Sequence, residues 1–376
     1  MDMTIDRFDY SELKSLIAIN SYTKNKAGVD QAGRLVRSWM EPLGFQTQVY
    51  PRSDIGDHLH FTSAKCKGTR ILLLGHLDTV FPPGTFEGFF EDDHWIYGPG
   101  VCDMKGGFYI AISALRAVQK KFGAIANIDL LLVSDEESGS DDSKRLTRQL
   151  AEDYDACLVF EAAGKNGDVV IGRKGIATYE VTIVGKAAHA GNHYQSGIDA
   201  NLAAAHMIIE LSKLTCLAEG TTVNAGKMQG GIGANTISPK AQLKVEARFC
   251  SGSEKARVTS AIKGLVTHNP VAGVHITIEG GVQRDVMEPN PAQMDFLAQL
   301  ESIIDAPIPT ERRGGVSDAN VVAEMHIPTL DGLGPFGEYD HTVDERACKS
   351  SFLRRLDQVT RILSFYNQCA LANRVA

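Results

Sequence analysis

The chain offers no disulfide framework. Its seven cysteines (66, 102, 157, 216, 250, 348 and 369) are odd in number, scattered, and never spaced Cys-x-x-Cys. That argues against a disulfide scaffold and against a structural cysteine–zinc site. Basic excess is missing too: 38 Lys and Arg against 46 Asp and Glu leave a net charge of −8. Nucleic acid and anionic membrane both call for basic surface, so neither is expected as a partner. No run of about 18 apolar residues occurs, and residues 1–7 contain no apolar leader region. The expectation is a cytoplasmic protein with no membrane partner. A strand followed by Gly-x-Gly-x-x-Gly is absent, as is a Gly-Lys-Ser/Thr phosphate loop, so no nucleotide cofactor is expected. Internal repeats and low-complexity segments are also lacking.

What is present is ordinary globular material. The 376 residues are 43% hydrophobic and 22% charged, enough for about two domains with a large core. Amphipathic helices are expected near 9–19 and 28–42, strands near 45–50 and 71–75, and a helix over 106–121. Short apolar runs at 128–134 and 157–160 read as further strands. Strands alternating with helices predict a mixed, mostly parallel α/β sheet with helices on both faces. From about residue 175 the texture changes to period-two alternation, at 177–184 and 241–249, the mark of half-exposed antiparallel strands. The order is strand 176–185, helix 197–214, strands 221–230 and 240–250, helix 254–267 and strand 274–280. That β-α-β-β-α-β order predicts a ferredoxin-like α+β unit. Helix–strand texture then returns, with a helix at 291–304 and a final one from about 344 to 366. The expected organisation is one α/β domain of residues 1–175 and 287–376, interrupted by an inserted domain of residues 176–286.

Chemistry-bearing residues gather where apolar runs stop. Ile71–Leu74 ends in Gly75-His76-Leu77-Asp78, and open α/β sheets place their sites at the C-terminal ends of strands. Two apart in extended chain, His76 and Asp78 point the same way. A carboxylate beside an imidazole can fix the tautomer of a ligating histidine. Asp103 lies in Gly-Val-Cys-Asp-Met-Lys-Gly-Gly, Glu136 and Glu137 in Val-Ser-Asp-Glu-Glu-Ser-Gly, and Glu161 in Leu-Val-Phe-Glu-Ala. His341 lies late, in Glu-Tyr-Asp-His-Thr-Val-Asp-Glu. Taken singly, each is also explained as a polar strand end or a solvated turn. Imidazole with carboxylate suits zinc, cobalt or manganese. Acids gathered without cations repel, so their clustering implies a metal or raised pKa values. Of the adjacent Glu136 and Glu137, one can ligate while the other handles a proton.

With Gly-Lys-Ala-Ala-His-Ala-Gly at 185–191, these segments resemble the zinc aminoacylase/carboxypeptidase family over about residues 10–366. That family includes glutamate carboxypeptidase, acetylornithine deacetylase and succinyl-diaminopimelate desuccinylase. The resemblance implies a zinc-exopeptidase-like catalytic domain, an inserted dimerisation (lid) domain, a homodimer, and two zinc ions per chain, with cobalt or manganese as substitutes. By the same resemblance His76, Asp103 and Glu161 would hold one ion, and Asp103, Glu137 and His341 the other, Asp103 bridging. Asp78 would orient His76, and Glu136 would be the general base. The peptide after the family's bridging aspartate is often cis, which concerns Asp103–Met104. His189 resembles a histidine that reaches the neighbouring subunit's site and polarises the oxyanion. Asn235 and Arg248 match positions near the substrate carboxylate. Arg284 resembles the arginine at the exit of the inserted domain, although Asp285 replaces the usual proline. Gly314–Asn320 resembles a Gly-Gly-x-Ser-Asp-Ala motif whose backbone lies beside that carboxylate. Glu161, in place of aspartate, resembles the aminopeptidase-like and glutamate carboxypeptidase branches. The implied activity is hydrolysis of the amide bond of small-molecule N-acyl amino acids or small peptides to release a C-terminal amino acid. Deacylation of acetylornithine or succinyl-diaminopimelate is the alternative. A non-catalytic binding protein on the same scaffold is disfavoured by the intact set of ligands and base.

Overall fold

The computed structural model describes residues 8–373. The leader-free reading of residues 1–7 lies outside them, as do the extreme ends of the expected first domain. Two compact units are present. The first runs to Ile171 and resumes over Pro289–Arg312 and from Ser317 onward; the second is Gly172–Glu288 with Arg313–Val316.

The first unit is built on a six-stranded sheet in the order Gln46–Tyr50, His58–Thr62, Ile128–Val133, Ile71–His76, Ala156–Val159, Thr329–Leu330. The last four strands run parallel, and His58–Thr62 pairs antiparallel with its neighbours on both sides. Ile71–His76 and Ile128–Val133 are buried at every position, as expected of parallel strands covered on both faces. Helices Lys105–Phe122 and Lys349–Ala372 pack on each other and add Phe108, Ile112, Leu115, Phe352, Val359 and Leu363 to the core.

A smaller antiparallel sheet joins distant parts of the same unit, in the order Gly337–Glu338, Arg346–Cys348, Trp95–Tyr97, Phe90–Glu91. It brings the loop after Tyr97 beside the turn between Glu338 and Arg346. Gly337 makes this approach possible, since a Cβ there would stand 2.1 Å from Cys102 Sγ. Gly107 does the same for helix Lys105–Phe122 against the end of a central strand, where a Cβ would stand 1.8 Å from the Phe160 carbonyl oxygen. The final helix begins at Lys349 rather than near 344. Arg346–Cys348 is drawn into this small sheet by pairing with Trp95–Tyr97.

In the second unit the sheet order is Thr222–Gly230, Lys240–Phe249, Gly175–Val184, His275–Arg284, and every pair is antiparallel. Helices Ala200–Ser212 and Gly252–Gly264 complete the ferredoxin-like pattern. Alternate strand residues Ala177, Tyr179, Val181, Ile183, Leu243 and Val245 meet Ala203, Ala204, Met207, Val258 and Ile262 of the helices in one core. The side chain of Asp199 caps the first helix through the N–H groups of Asn201 and Leu202, and that of Ser251 caps the second through Glu254 N–H, each cap contributing about 1 kcal/mol. Among the described residues no helix is long and apolar enough to cross a membrane.

Candidate metal centre

Three parallel strands empty their chains at one sheet edge. Register pairs His76 with Val133, and Leu74 with Val159. The residues just past these ends are therefore Asp78, Glu136 and Glu137, and Glu161. The small sheet supplies Asp103 and His341 from the other side. The Asp103–Met104 peptide is cis, and His341 has a left-handed backbone with φ of 63°.

The side chains converge. His76 Nε2 lies 3.1 Å from Asp103 Oδ1 and 3.7 Å from Glu161 Oε1. His341 Nε2 lies 3.1 Å from Asp103 Oδ2 and 3.1 Å from Glu137 Oε2. One ligand atom each from His76, Asp103 and Glu137 fits within 4.8 Å. The two oxygens of Asp103 thus face different imidazoles, each with its own glutamate. Nitrogen and carboxylate donors so grouped suit a zinc-type divalent cation.

The electrostatics agree with that fit. Hydrogen bonds with Asp103 and Glu137 push His341 up to about 11. Burial opposes charge on His76, but its bonds to Asp103 and Asp78 hold its pKa well above the ordinary value. Asp103 is pushed up by burial and drawn down further by His341 and His76, so it ends well below the usual carboxylate range. Burial and the Asp103 charge raise Glu137 and Glu161. Three carboxyl groups, Asp103, Glu137 and Glu161, meet two histidines here, and bound cations would relieve the repulsion among the acids.

Asp78 holds the edge together from behind. His76 Nδ1 donates to the Asp78 main-chain oxygen at 3.0 Å, with Oδ1 of the same residue at 3.4 Å. This leaves Nε2 turned toward Asp103 and Glu161. The Asp78 carboxylate accepts from Thr23 Oγ1 at 2.7 Å, Glu136 N at 3.3 Å and Glu137 N at 3.2 Å. It therefore orients the two-glutamate turn as well as the histidine. Glu136 itself is half-buried.

His189, Asn235, Arg248 and Arg284 belong to the second unit. His189 is exposed, and its Nδ1 accepts from Gly191 N at 3.2 Å and Asn192 N at 3.1 Å. In the neutral ring this places the proton on Nε2. Asn235 adjoins it, its carbonyl accepting from Ala190 N at 2.9 Å. Arg248 bonds Glu246 Oε1 at 2.7 Å and the Gly314 carbonyl at 3.0 Å. Arg284 is buried at the end of its strand, and the neighbouring Asp285 pairs with Lys255.

Two residues that position the site have no assigned role in the sequence reading. Thr23 is fixed by contact with Asp78, 55 residues away, and nothing local marks it. Glu345 is buried beside the Asp103 loop; an acid four residues after His341 was its visible signal. Lys105, also fully buried, donates to the Ile19 carbonyl at 2.8 Å and anchors the start of its helix. Burial lowers its pKa to about 7.

Comparison with known proteins agrees with this geometry. The model of peptidase family M20/M25/M40 matches residues 72–364. Carboxypeptidase G2 of Pseudomonas sp. (strain RS-16) is 26% identical over 93% of this chain and 87% of its own. Succinyl-diaminopimelate desuccinylase of Acidiphilium cryptum is 29% identical over 76% of this chain and 82% of its own. Among solved structures, aminopeptidase PepT of Bacillus cereus superposes with a TM-score of 0.77 at 24% identity, over 94% of this chain and 96% of that one. The Bacillus subtilis YXEP protein, a dinuclear metal-binding peptidase of family M20, superposes with a TM-score of 0.69 at 13% identity, over 96% and 99% of the two chains. A family match over well more than half the chain, on a fold that carries this ligand set, makes the protein a member of peptidase family M20/M25/M40 and a metal-dependent hydrolase.

Proposed function

We propose that the protein is a di-zinc amidohydrolase of glutamate carboxypeptidase type, cleaving the amide bond of N-acyl amino acids or small peptides to release the C-terminal amino acid. The observation that carries this reading is the division of Asp103, with Oδ1 3.1 Å from His76 Nε2 and Oδ2 3.1 Å from His341 Nε2. His76, Asp103 and Glu161 would hold one cation, and Asp103, Glu137 and His341 the other; cobalt or manganese could replace zinc. When bound, such cations supply Lewis acidity at the scissile carbonyl and lower the pKa of nearby water. Glu136 takes the proton of the attacking water and returns it to the leaving amine nitrogen. Asp78 keeps the Glu136–Glu137 turn and His76 in place for these tasks.

On the substrate side, Arg248 and Asn235, with Arg284 at the strand end, are assigned to the carboxylate of the residue released, which a guanidinium can grip through two parallel hydrogen bonds. His189 is assigned to a second copy's substrate, its Nε2–H donating to the carbonyl oxygen as that oxygen gains charge. This requires a homodimer. Supporting it, helix Ala200–Ser212 exposes Leu202 and Ile209, and the edge strand Thr222–Gly230 exposes Met228, apolar groups beside an unpaired strand edge that a second copy can cover.

The second reading is an N-deacylase acting on acetylornithine or succinyl-diaminopimelate, favoured by the 29% identity to a desuccinylase. A panel of N-acyl amino acids, dipeptides, acetylornithine and succinyl-diaminopimelate, assayed with zinc, cobalt and chelator, separates the two. Turnover confined to the last two compounds refutes the carboxypeptidase reading. No metal-dependent turnover on any of them refutes both.

A further inference from the structure

Glu345 is fully buried four residues past His341. Its carboxylate accepts from three main-chain N–H groups of a single loop. Gly100 N bonds Oε2 at 3.1 Å, while Cys102 N at 2.9 Å and Asp103 N at 3.1 Å bond Oε1. The main chain of Glu345 joins the same two segments. Its carbonyl accepts from Gly98 N at 3.4 Å, and its own N–H donates to Thr342 O at 3.2 Å. Thr342 N in turn donates to Tyr339 O at 3.0 Å, closing the turn that carries His341.

One residue is therefore bonded to both stretches of chain that deliver Asp103 and His341, positions 238 apart in sequence. The small sheet already brings these stretches together, through Arg346 with Tyr97 and Ala347 with Ile96. Approach alone does not need the carboxylate. What the carboxylate adds is direction: three N–H groups over four residues must point at one acceptor, which fixes how the backbone leaves Gly100 and where Asp103 begins. A buried carboxylate is retained at a cost that only several donors offset. An apolar residue of similar size would pack there but would leave three buried N–H groups unsatisfied.

We propose that Glu345 is a positioning residue of the metal centre, locking the Asp103 loop to the His341 turn so that the Asp103–Glu137–His341 position can bind its cation. Glu345 is not itself a ligand: its oxygens are spent on the backbone of Gly100, Cys102 and Asp103. The proposal rests on the two-cation reading above, and the test keeps the two separate.

The test titrates zinc, with a competing chelator, into metal-stripped full-length protein, and repeats the titration with cobalt while recording its visible spectrum. Glu345→Gln keeps the shape but turns one accepting oxygen into a donor, so at least one of the three N–H groups loses its partner. The expected result is both cations weakened, because Asp103 serves both, with the one at Asp103–Glu137–His341 weakened more, by about 10–100-fold, the usual effect of losing an outer partner of a ligand. Glu345→Asp, a carboxyl on a shorter side chain, should fall between, and it carries the comparison alone if Glu345→Gln does not accumulate as folded protein. Asn367→Ala serves as the destabilised control. It removes a buried amide that bonds Ala126 N at 2.8 Å and the Ala124 carbonyl at 3.0 Å, and it should leave both affinities unchanged. Parent affinity at both positions in the Glu345 variants would overturn the proposal. So would equal weakening of both, or the same weakening in Asn367→Ala. A parent protein that binds no cation would instead sink the metal-centre reading, and this proposal with it.

Discussion

Replacing Asp78 by asparagine tests the packing behind the site most directly. The carboxylate is fully buried, and both its oxygens are occupied. Oδ2 takes Thr23 Oγ1 and Glu137 N–H, while Oδ1 takes Glu136 N–H and lies 3.4 Å from His76 Nδ1. Asparagine has nearly the same shape but keeps one accepting oxygen. If that oxygen takes the Oδ2 place, Glu136 N–H faces an amide donor. In the reverse orientation Glu137 N–H does, while the Thr23 hydroxyl can turn to accept from the amide. A buried donor left without an acceptor costs about 1–3 kcal/mol, a sizeable share of a typical domain stability of about 5–15 kcal/mol. The His76 ring loses its charged neighbour, and the turn carrying Glu137 loses its anchor. Loss of such outer partners weakens metal binding by about 10–100-fold, or roughly 1.4–2.7 kcal/mol. Calorimetric titration of zinc into metal-stripped protein, with denaturant unfolding of the metal-free form, measures both quantities. Asp78→Asn protein with parent zinc affinity and unfolding free energy within about 0.5 kcal/mol of the parent, the scatter of unimportant surface changes, would refute the reasoning.

Two further outcomes are expected. Glu136→Gln should retain its metal while turnover falls by at least ~100-fold, the usual scale of general acid–base catalysis; Glu137→Ala should lose metal as well as activity, and metal analysis beside kinetics would show whether the two glutamates divide their roles in this way. Mixing inactive His189→Ala with inactive Glu136→Gln protein should restore part of the activity through hybrid dimers, because one site in each hybrid keeps both groups; no recovery after verified subunit exchange, or a monomer by analytical ultracentrifugation, would remove His189 from the partner's site.

Much of this architecture is written locally. Ile71–Leu74 and Ile128–Val133 announce buried strands by apolar runs that end abruptly, and of the groups that converge on Asp103 all but His341 stand at or just past such ends. In the second unit, alternation along Ala177–Ile183 matches the buried face. What stayed hidden depends on contacts across long separations. His58–Thr62 has no exposed alternate face, because His58 and His60 are buried with Leu59 and Phe61; Ser134 N–H bonds the His58 ring at Nδ1 and the Tyr154 hydroxyl meets His60 Nε2. No period distinguishes such a strand from loop. The start of the last helix was hidden for a similar reason. Helical pattern continues back to about 344, but Arg346–Cys348 pairs with a strand some 250 residues earlier. The tasks of Thr23 and Glu345 are defined by the backbone they meet, not by their neighbours in sequence.

The pairing of Trp95–Tyr97 with the distant Arg346–Cys348 also governs when the centre can exist. Asp103 and His341 are 238 residues apart, and synthesis runs at about 5–20 residues per second. Roughly 12–50 s therefore pass between the appearance of the first and that of the second on the ribosome. During that interval His76, Asp103, Glu137 and Glu161 have been made, while the turn that orders Asp103 has not. The second unit, contiguous apart from residues 313–316, has its sheet and both helices available well before then. In a growing chain the ferredoxin-like unit can thus fold first, and the metal centre is among the last features to be assembled.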